Sequence, residues 1–313
     1  KPENIRPSMP WMRGANVKAV NVELSRNAVA EIKAILEEHH VANLPVGVDE
    51  TEMYFLDAMA HAGLKVANAY DVMFDARLIK SPDELKIIET SASMVDGVYA
   101  QVADFIKPGV REHEVVALIS GWLIEHGADR ISGINCVSGP RSNPHPHDYS
   151  DRMIRPGELV FIDIMSHYLG YATCYYRTFA VTRSTERQRA VYKRAFDWLQ
   201  GSIEVVRPGV TTADIAATWP SAKELGYKDE KEAFALALGH GIGLSHHEKP
   251  WISRAYSLDH PVPVEAGMHF ALETFYGEGD DGARIESQII VTENGHKVIT
   301  KWPCEELMVL DPR

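Results

Sequence analysis

The sequence contains an internal repeat with an offset of 100 to 110 residues, which favours a fold built from two similar units. A Pro-Gly turn at 107–110 returns 100 positions later at 207–210, each time between two helical patterns. A glycine followed six residues later by an acid, at 157–163, returns 110 positions later at 267–273. Coincidence is the alternative, since Pro-Gly turns are common, but two independent marks at nearly one offset favour duplication. We therefore predict a pseudo-twofold shell in which acids from both halves meet at the centre.

The first half of the repeat opens with a strong helix-start signal at Ser81-Pro82-Asp83-Glu84. Ser81 suits the N-cap, Pro82 the first helical position and Glu84 the reciprocal position of a capping box. We expect this helix to end near 106, a second helix to end near 126, and strands near 159–165 and 178–182 around a Leu169-Gly170 turn. The second half begins with a helix near 184–186.

The first 78 residues have a β-α-β pattern of their own. Asn27 is the expected N-cap of a first helix, because Val29, Ile32 and Leu36 then fall on one face. Strands are predicted at 44–48 and 64–67, with a helix at 51–62 that ends before Gly63.

Composition excludes several classes of protein. The chain of 313 residues carries a formal charge of −12, which argues against a nucleic-acid partner because such partners require a basic face. No apolar run approaches about 18 residues, so we expect no membrane span. Three widely spaced cysteines favour a reducing compartment, and we predict a cytoplasmic protein. The first residue is Lys rather than Met, which suggests a piece of something longer.

Five places combine chemical side chains with apolar or glycine-rich surroundings. They are the histidines of 143–147, Asp163 after an apolar run, the segment 239–248 with His240, Glu273 after another apolar run, and the segment 284–286. Each acid is expected at a strand end, and each feature alone is more often structural than functional. Together, carboxylates and imidazole are ligands for Mn, Co, Zn or Fe(II), and crowded carboxylates can alternatively perform acid–base chemistry without metal.

At these residues the sequence resembles the creatinase–prolidase–methionine aminopeptidase family, whose catalytic domain has the pita-bread fold. The resemblance runs from about residue 70 to the C-terminus. It rests on five ordered motifs at 157–163, 170–179, 239–243, 270–273, and 284–286 with 291–295. It implies an α+β protein with a duplicated pita-bread catalytic domain at 79–313 and a partial N-terminal α/β domain at 1–78.

The resemblance also implies a metal-ligand set with one departure. Two-metal members bind their ions through Asp, Asp, His, Glu and Glu, and Asp163, His240, Glu273 and Glu286 match the first, third, fourth and fifth. The second position is Cys174, and one thiolate cannot reproduce a bridging carboxylate, although it can ligate a single zinc ion. The implied cofactor is one divalent ion (Zn, Mn, Co or Fe) or none, because creatinase keeps the His and Glu residues without metal. Cys174 is a space-filling side chain, a soft metal ligand or a nucleophile.

Further roles follow from the same motif matches. His145, 18 residues before Asp163, matches a histidine of the family's active site and is the candidate proton shuttle. His247 matches a substrate-contacting histidine, and Glu273 or Glu286 would deprotonate water. Arg284 is the candidate for orienting a substrate carboxylate. Tyr175 and Tyr176, which follow Cys174, are candidates for substrate binding: they belong to the core, or one of them faces the pocket.

The resulting hypothesis is a hydrolase that cleaves an amide or peptide-type C–N bond in a small substrate, either a Xaa-Pro-like dipeptide or a creatine-like compound. A dimethylsulfoniopropionate lyase is the first alternative, and a non-catalytic binding module on the same fold is the second. The resemblance also implies a homodimer.

Overall fold

The computed structural model describes residues 17–310, apart from the side chain of residue 235. The chain divides into two compact units, with the boundary between Ala76 and Arg77. Unit 1 is the smaller one and contains three helices and two short strands in its described part. Their order is α1 (Lys18–Glu38), β1 (Val46–Val48), α2 (Met53–His61), β2 (Val66–Asn68) and α3 (Tyr70–Ala76). Strands β1 and β2 pair in parallel, as a β-α-β connection requires.

The first helix of unit 1 differs from its prediction. Helix α1 begins at Lys18, so Asn27 lies inside it and does not cap it. The buried Val29 and the half-buried Ile32 and Leu36 pack together in the core of the unit, on the face that the sequence predicts. The predicted end of α2 is confirmed, because Gly63 follows it with φ of +76°.

Unit 2 contains the remaining elements. Its first half is α4 (Pro82–Phe105), α5 (Glu112–Glu125), β3 (Arg130–Ser138), β4 (Leu159–Tyr168) and β5 (Tyr171–Val181). Its second half is α6 (Glu186–Glu204), α7 (Thr212–Ala216), β6 (Ala237–Gly241), β7 (Glu248–Ile252), α8 (Arg254–Ser257), β8 (His269–Glu278), β9 (Asp281–Thr292), β10 (Gly295–Val298) and β11 (Met308–Leu310).

The start of α4 confirms the local prediction. The Ser81 hydroxyl accepts a hydrogen bond from the Glu84 backbone N–H at 3.3 Å, and the Glu84 carboxylate accepts one from the Ser81 N–H at 2.7 Å. Pro82 occupies the first turn, where its missing N–H costs nothing. The helix ends at Phe105, one residue before the predicted end.

Each half of unit 2 packs its helices against one sheet. The first sheet has the order β11-β5-β4-β3 and the second β10-β9-β8-β6-β7. Apolar side chains of α4 and α5 pack on the first sheet, and those of α6 and α7 pack on the second. All pairings are antiparallel except that of β11 with β5, and the mixture of helices and sheets confirms the predicted α+β class.

Hydrogen bonds repeat between the halves at the predicted offset. The Gly109 N–H donates to the Ile154 carbonyl at 3.0 Å, and the Gly209 N–H donates to the Val264 carbonyl at 3.1 Å. The Gly157 N–H donates to the carbonyl of residue 181 at 2.7 Å, and the N–H of residue 267 donates to that of residue 291 at 2.9 Å. The sequence repeat therefore corresponds to a repeat of backbone structure.

Side chains of β5 and backbone of β9 join the two sheets. The Thr178 hydroxyl donates to the Arg284 carbonyl at 2.7 Å and accepts from the Arg284 N–H at 3.0 Å. The Arg177 guanidinium donates to the Glu286 carbonyl at 2.5 Å. These bonds hold the two halves side by side and bring their central strands together.

Among residues 17–310, none of the helices is both long enough and apolar enough to span a bilayer.

Candidate active site

A cavity of about 390 Å³ lies where the two sheets of unit 2 meet. Carboxylates, histidines and the Cys174 thiol face it. Its walls are formed by Ser132, Gly133, Asn135, His147, Asp163, Met165, Cys174, Tyr176, His240, His246, His247 and Glu273. The volume fits a small molecule, and the concentration of titratable groups makes it the candidate active site.

Three acids reach this region from paired strands. Glu273 on β8 lies directly opposite Glu286 on β9, while Asp163 on β4 lies opposite Tyr176 on β5. The acids therefore occupy the middle of their strands and not the ends, which corrects the prediction. The strands continue for five residues beyond Asp163 and Glu273, as far as the hairpin turns that join β4 to β5 and β8 to β9.

The acids are buried and lie close to one another. Burial, together with the charges of Glu286 and Glu273, raises the pKa of Asp163 well above its usual range. Burial and the charge of Glu273 likewise raise the pKa of Glu286. Ionised forms of both groups therefore require a cation or further donors.

Arg284 provides a positive charge beside the acids and bonds directly to one of them. Its Nε and Nη2 both donate to Glu273 Oε2, at 2.8 and 2.5 Å. The guanidinium is buried, with 2 % of the side chain exposed, and it also donates through Nη1 to His145 Nε2 at 2.6 Å. Arg284 therefore lies behind the acid and not on the cavity wall. The role of Arg284 in orienting a substrate carboxylate stays a prediction.

His240 lies between glycines that allow close backbone packing. A Cβ on Gly241 would lie 2.1 Å from the Lys249 carbonyl oxygen, and one on Gly239 would lie 2.7 Å from that of Ala271. The His240 Nδ1 is 3.2 Å from the Gly241 carbonyl, and its Nε2 is 3.5 Å from Glu286 Oε1. Burial opposes protonation of this ring, but the neighbouring Glu286 outweighs it, so the pKa of His240 is raised.

The loop after β6 presents two more imidazoles. The His246 ring is nearly parallel to that of His240 at 5.4 Å, and the His247 ring is nearly perpendicular to it at 4.4 Å. Burial and then the charge of His240 lower the pKa of His246 to about 3 and that of His247 to about 4. Both rings are therefore neutral at physiological pH and offer a lone pair.

Glu248 holds this loop in place. Its carboxylate accepts from the Ser245 N–H at 3.0 Å and from the Lys80 ammonium at 3.1 Å, and it lies 3.6 Å from Arg77 Nε. The Lys80 and Glu248 side chains are only 2 % and 1 % exposed. The two basic residues come from the segment before α4, so this segment determines where the histidine loop lies.

Cys174 points into the cavity from β5. Its Sγ is 3.3 Å from Asp163 Oδ1 and 3.4 Å from Glu286 Oε2. Burial and the charges of Asp163 and Glu286 raise the pKa of the Cys174 thiol well above its usual range. A protonated thiol is a poor nucleophile, so these surroundings disfavour the nucleophile interpretation.

The two histidines of the 143–147 loop occupy different places. His145 accepts the Arg284 hydrogen bond, and its ring packs edge-on against Phe275 at 4.4 Å. His147 stacks on His145 at 5.1 Å and forms part of the cavity wall. Spacing along the chain indicates His145, whereas the structure places His147 on the wall of the cavity.

Tyr175 and Tyr176 lie on opposite faces of β5. The Tyr175 hydroxyl donates to Asp96 on α4 at 2.5 Å, so it lies in the helix-covered core and is not a substrate contact. Tyr176 faces the cavity, and its hydroxyl accepts from Asn135 Nδ2 at 2.9 Å. Of the two alternatives for this pair, the structure therefore favours the one in which a single tyrosine, Tyr176, faces the pocket, because neighbouring residues of a strand point to opposite faces.

Asn135 and His246 are site residues that sequence reasoning missed. Asn135 on β3 donates to Asp163 Oδ2 at 3.0 Å and thereby orients that acid. No local pattern identifies Asn135, because its position depends on the pairing of β3 with β4. His246 lies close after the glycine-rich segment, which is a signal in the sequence, but the motif match indicates His247.

The donor atoms of this site are grouped closely enough to hold a metal ion. Three groups have ligand atoms within 4.8 Å of one another: Asp163, Cys174 and Glu286; His240, Glu273 and Glu286; and Cys174, His240 and His246. Glu286 Oε1 is buried and makes no hydrogen bond in the structure, as expected for an oxygen that could face a cation. The residues therefore fit a divalent ion, whereas Cys174 does not fit the bridging position of a standard two-ion site.

A duplicated α+β shell around a carboxylate–histidine cluster defines the class of metal-dependent enzymes with a pita-bread fold. The chain belongs to metallopeptidase family M24, whose sequence pattern matches residues 86–293. It is 34 % identical over 237 residues to the uncharacterised peptidase YqhT of Bacillus subtilis, covering 75 % of this chain and 65 % of that protein. It is 33 % identical over 240 residues to the Xaa-Pro dipeptidase of Pyrococcus furiosus, covering 76 % and 67 %.

A solved structure supports the fold, and one relative has another activity in its name. The Xaa-Pro dipeptidase of Bacillus anthracis superposes with a TM-score of 0.80 at 28 % identity, covering 90 % of this chain and 78 % of that one. The dimethylsulfoniopropionate lyase DddP of Roseobacter denitrificans is 25 % identical over 296 residues, covering 89 % of this chain and 64 % of the lyase. The predicted family and pita-bread fold are confirmed. The matched segment spans only about two thirds of the curated relatives' own length.

Proposed function

We propose that the protein hydrolyses a peptide-type C–N bond in a small substrate, with a Xaa-Pro dipeptide as the leading candidate. The observation that carries this proposal is the meeting of His240, Glu273 and Glu286 beside a cavity of about 390 Å³, which is of the size that a dipeptide requires. The names of the Pyrococcus furiosus and Bacillus anthracis relatives support the substrate class.

The residues of the cavity suggest a division of labour. A divalent ion held by His240, Glu273 and Glu286, with Asp163 nearby, would lower the pKa of a bound water molecule and polarise the scissile carbonyl. Glu286 and Glu273 would receive the proton of the attacking water. His147 on the cavity wall, backed by His145, would deliver a proton to the leaving nitrogen. His247 and Tyr176 would contact the substrate.

A metal-free hydrolysis uses the same side chains differently. In that alternative Glu273 or Glu286 deprotonates water directly, and His145 or His147 protonates the leaving group. The raised pKa of Glu286 suits a general base better than an ordinary glutamate pKa does. Removal of divalent ions by a chelator distinguishes the two alternatives, because only the metal-dependent one loses activity.

The test is a substrate panel with matched variants. Xaa-Pro dipeptides, other dipeptides, creatine and dimethylsulfoniopropionate would be assayed with the purified protein. We expect Glu273→Gln to lower kcat/KM by about 10²–10⁴-fold, since it removes a charged group from the reacting centre. Glu278→Gln, at the exposed end of the same strand, is the control and should stay within about twofold of the parent protein.

Other outcomes would overturn the proposal. Turnover of dimethylsulfoniopropionate alone would make the protein a lyase, and turnover of creatine alone would replace the dipeptide as substrate. Failure to turn over any substrate, with binding retained, would favour a non-catalytic binding module. Equal activity of the Glu273→Gln and Glu278→Gln variants would show that this cavity is not the active site.

Several predictions of the sequence remain proposals. We propose that residues 1–78 belong to an N-terminal domain of the type found in creatinase and prolidases, followed by the catalytic domain. We further propose a cytoplasmic homodimer, on the strength of the family resemblance. Light scattering on the purified protein tests the dimer: a mass of one chain, about 35 kDa, would contradict it.

A further inference from the structure

We propose that Cys174, His240 and His246 form a thiolate–imidazole corner of the pocket that binds one zinc ion. Their ligand atoms lie within 4.8 Å of one another. The inference goes beyond the proposed hydrolysis, since it concerns the ion that the pocket holds and requires no particular substrate. His240 also belongs to the cluster with Glu273 and Glu286, so a zinc ion at His240 can draw ligands from both groups.

The Cys174 thiol lies close to two carboxylates and has only one proton of its own to donate. Its Sγ lies 3.3 Å from Asp163 Oδ1 and 3.4 Å from Glu286 Oε2, but a thiol has a single proton to donate. One of the two sulfur–oxygen contacts therefore has no hydrogen atom from the thiol between its atoms. A cation that displaces the thiol proton would attract the sulfur and both oxygens at once.

Glu286 is a second, independent observation that indicates a cation. Its side chain is fully buried, yet Oε1 makes no hydrogen bond in the structure, and His240 Nε2 lies 3.5 Å away. A buried carboxylate oxygen without a donor is costly unless a positive charge faces it. Glu286 Oε1 and His240 Nε2 therefore both lie next to the position that the ion would occupy.

His246 belongs to this group of ligand atoms, and His247 does not. The His246 ring is tilted by only 22° from that of His240, whereas the His247 ring is turned by 78° and belongs to none of the three ligand groups. Hydrogen bonds from Ser245 and Lys80 to Glu248 hold the loop that carries both histidines. His247 is therefore a natural control for His246.

The donor types favour zinc over hard divalent ions. One thiolate and two imidazoles match the three-ligand catalytic zinc sites, in which a fourth position is left for water or substrate. Thiolate ligands select zinc over Mn²⁺ and Mg²⁺, which prefer oxygen. On binding, a Zn–S bond forms and the Cys174 proton leaves to solvent, so each ion bound releases one proton from this residue.

The test measures the metal and its ligands without any substrate. The full chain would be stripped with a chelator, refilled with Zn²⁺ or Co²⁺, and studied by elemental analysis and absorption spectroscopy. We expect about one zinc per chain, and a sulfur-to-cobalt charge-transfer band in the near ultraviolet. Cys174→Ser should abolish the band, and His246→Gln should weaken zinc binding by more than the 10–100-fold typical of an outer-sphere change.

Three control variants separate ligand loss from misfolding. Cys136→Ala removes a thiol from the helix-covered core of the first sheet, and His247→Gln removes the neighbouring ring; both should keep the band and the zinc affinity. Cys174→Asp should lose the band while gaining affinity for Mn²⁺, since it replaces the thiolate with a carboxylate. Circular dichroism of each metal-free variant shows whether it is folded.

Three results would overturn the proposal. One is cobalt bound to the parent protein without a sulfur band, and another is an unchanged band in Cys174→Ser. Failure of the parent protein to retain zinc would also overturn it. Hydrolysis of Xaa-Pro dipeptides without the band would refute only the zinc corner, whereas the band without any hydrolysis would refute only the proposed function.

Discussion

The two halves of unit 2 have similar backbone structures but different side chains at equivalent positions of the site. Positions 110 apart are equivalent, because Asp163 pairs with Tyr176 on the first sheet and Glu273 pairs with Glu286 on the second. The first half thus provides a tyrosine where the second provides an acid. Most of the charge and all of the imidazole ligands come from the second half, so duplication supplied the scaffold while side chains diverged at its centre.

The greatest divergence is at Cys174 and its equivalent, Arg284. Both lie two residues before the position opposite the acid, and both are buried. Arg284 neutralises Glu273 within its own half, whereas Cys174 offers Asp163 only a thiol. Asp163 is therefore the acid in greater need of a cation, although its backbone surroundings match those of Glu273.

The largest effect is expected from removal of the Arg284 charge. Arg284→Met should lower the free energy of unfolding by about 3–5 kcal/mol, because it leaves the Glu273 carboxylate buried without a partner. Cys174→Ala at the equivalent position should cost about 1 kcal/mol, since only a small side chain is lost. Urea unfolding with a chelator present measures both. Equal costs would show that the halves are not electrostatically different.

A smaller effect concerns His269, whose equivalent in the first half is Leu159. Burial, followed by the charge of Lys80, lowers the pKa of His269 to about 3. The unfolded chain binds a proton at this residue below about pH 6.5 and the folded chain does not, so stability falls as the pH falls from 6.5 towards 3.

The expected loss from His269 is about 3 kcal/mol between pH 7 and pH 4. His269→Leu, which copies the first half, should remove this part of the pH dependence. Urea unfolding of both proteins across this range measures it. A slope that is unchanged in the variant would show that His269 takes up a proton in the folded state.

The smallest effect is expected at the Pro-Gly turn, which both halves contain. Gly109 and Gly209 have φ of +98° and +90°, and a Cβ at either position would contact nothing within 4 Å. Alanine at each position should therefore cost only the left-handed backbone energy, about 1 kcal/mol. Thermal unfolding of the two variants should give equal shifts. A clear difference would mean that the turns are not equivalent in energy.

Local signals predicted the parts of this fold that local forces determine. The capping box at Ser81 and Glu84 and the glycine after α2 need no distant partner, and both were identified correctly. The Asn27 cap was wrong because the helical segment continues for more than two turns before it, where no apolar period marks the sequence. The repeat was predictable because it depends on spacing alone.

The site was predictable only in part, for a related reason. Motif matches brought Asp163, His240, Glu273 and Glu286 to one place, and the structure groups all four. The period of two along β5 would have separated Tyr175 from Tyr176 once Cys174 was taken to face the site. The position of Asn135 depends on the pairing of β3 with β4, and that of His147 depends on the packing of its loop. Neither is visible in the spacing of residues along the sequence.

The ion pair between Lys80 and Glu248 sets a limit on how the chain can be dissected. A shortened protein that begins at Ser81 keeps every helix and strand of unit 2, together with the capping box of α4. It nevertheless loses the ammonium that neutralises a carboxylate with only 1 % of its side chain exposed. The loop that carries His246 and His247 would then be held by a buried carboxylate without a compensating charge. A shortened protein that keeps this ion pair and the neighbouring Arg77 therefore begins at Arg77, ahead of α4.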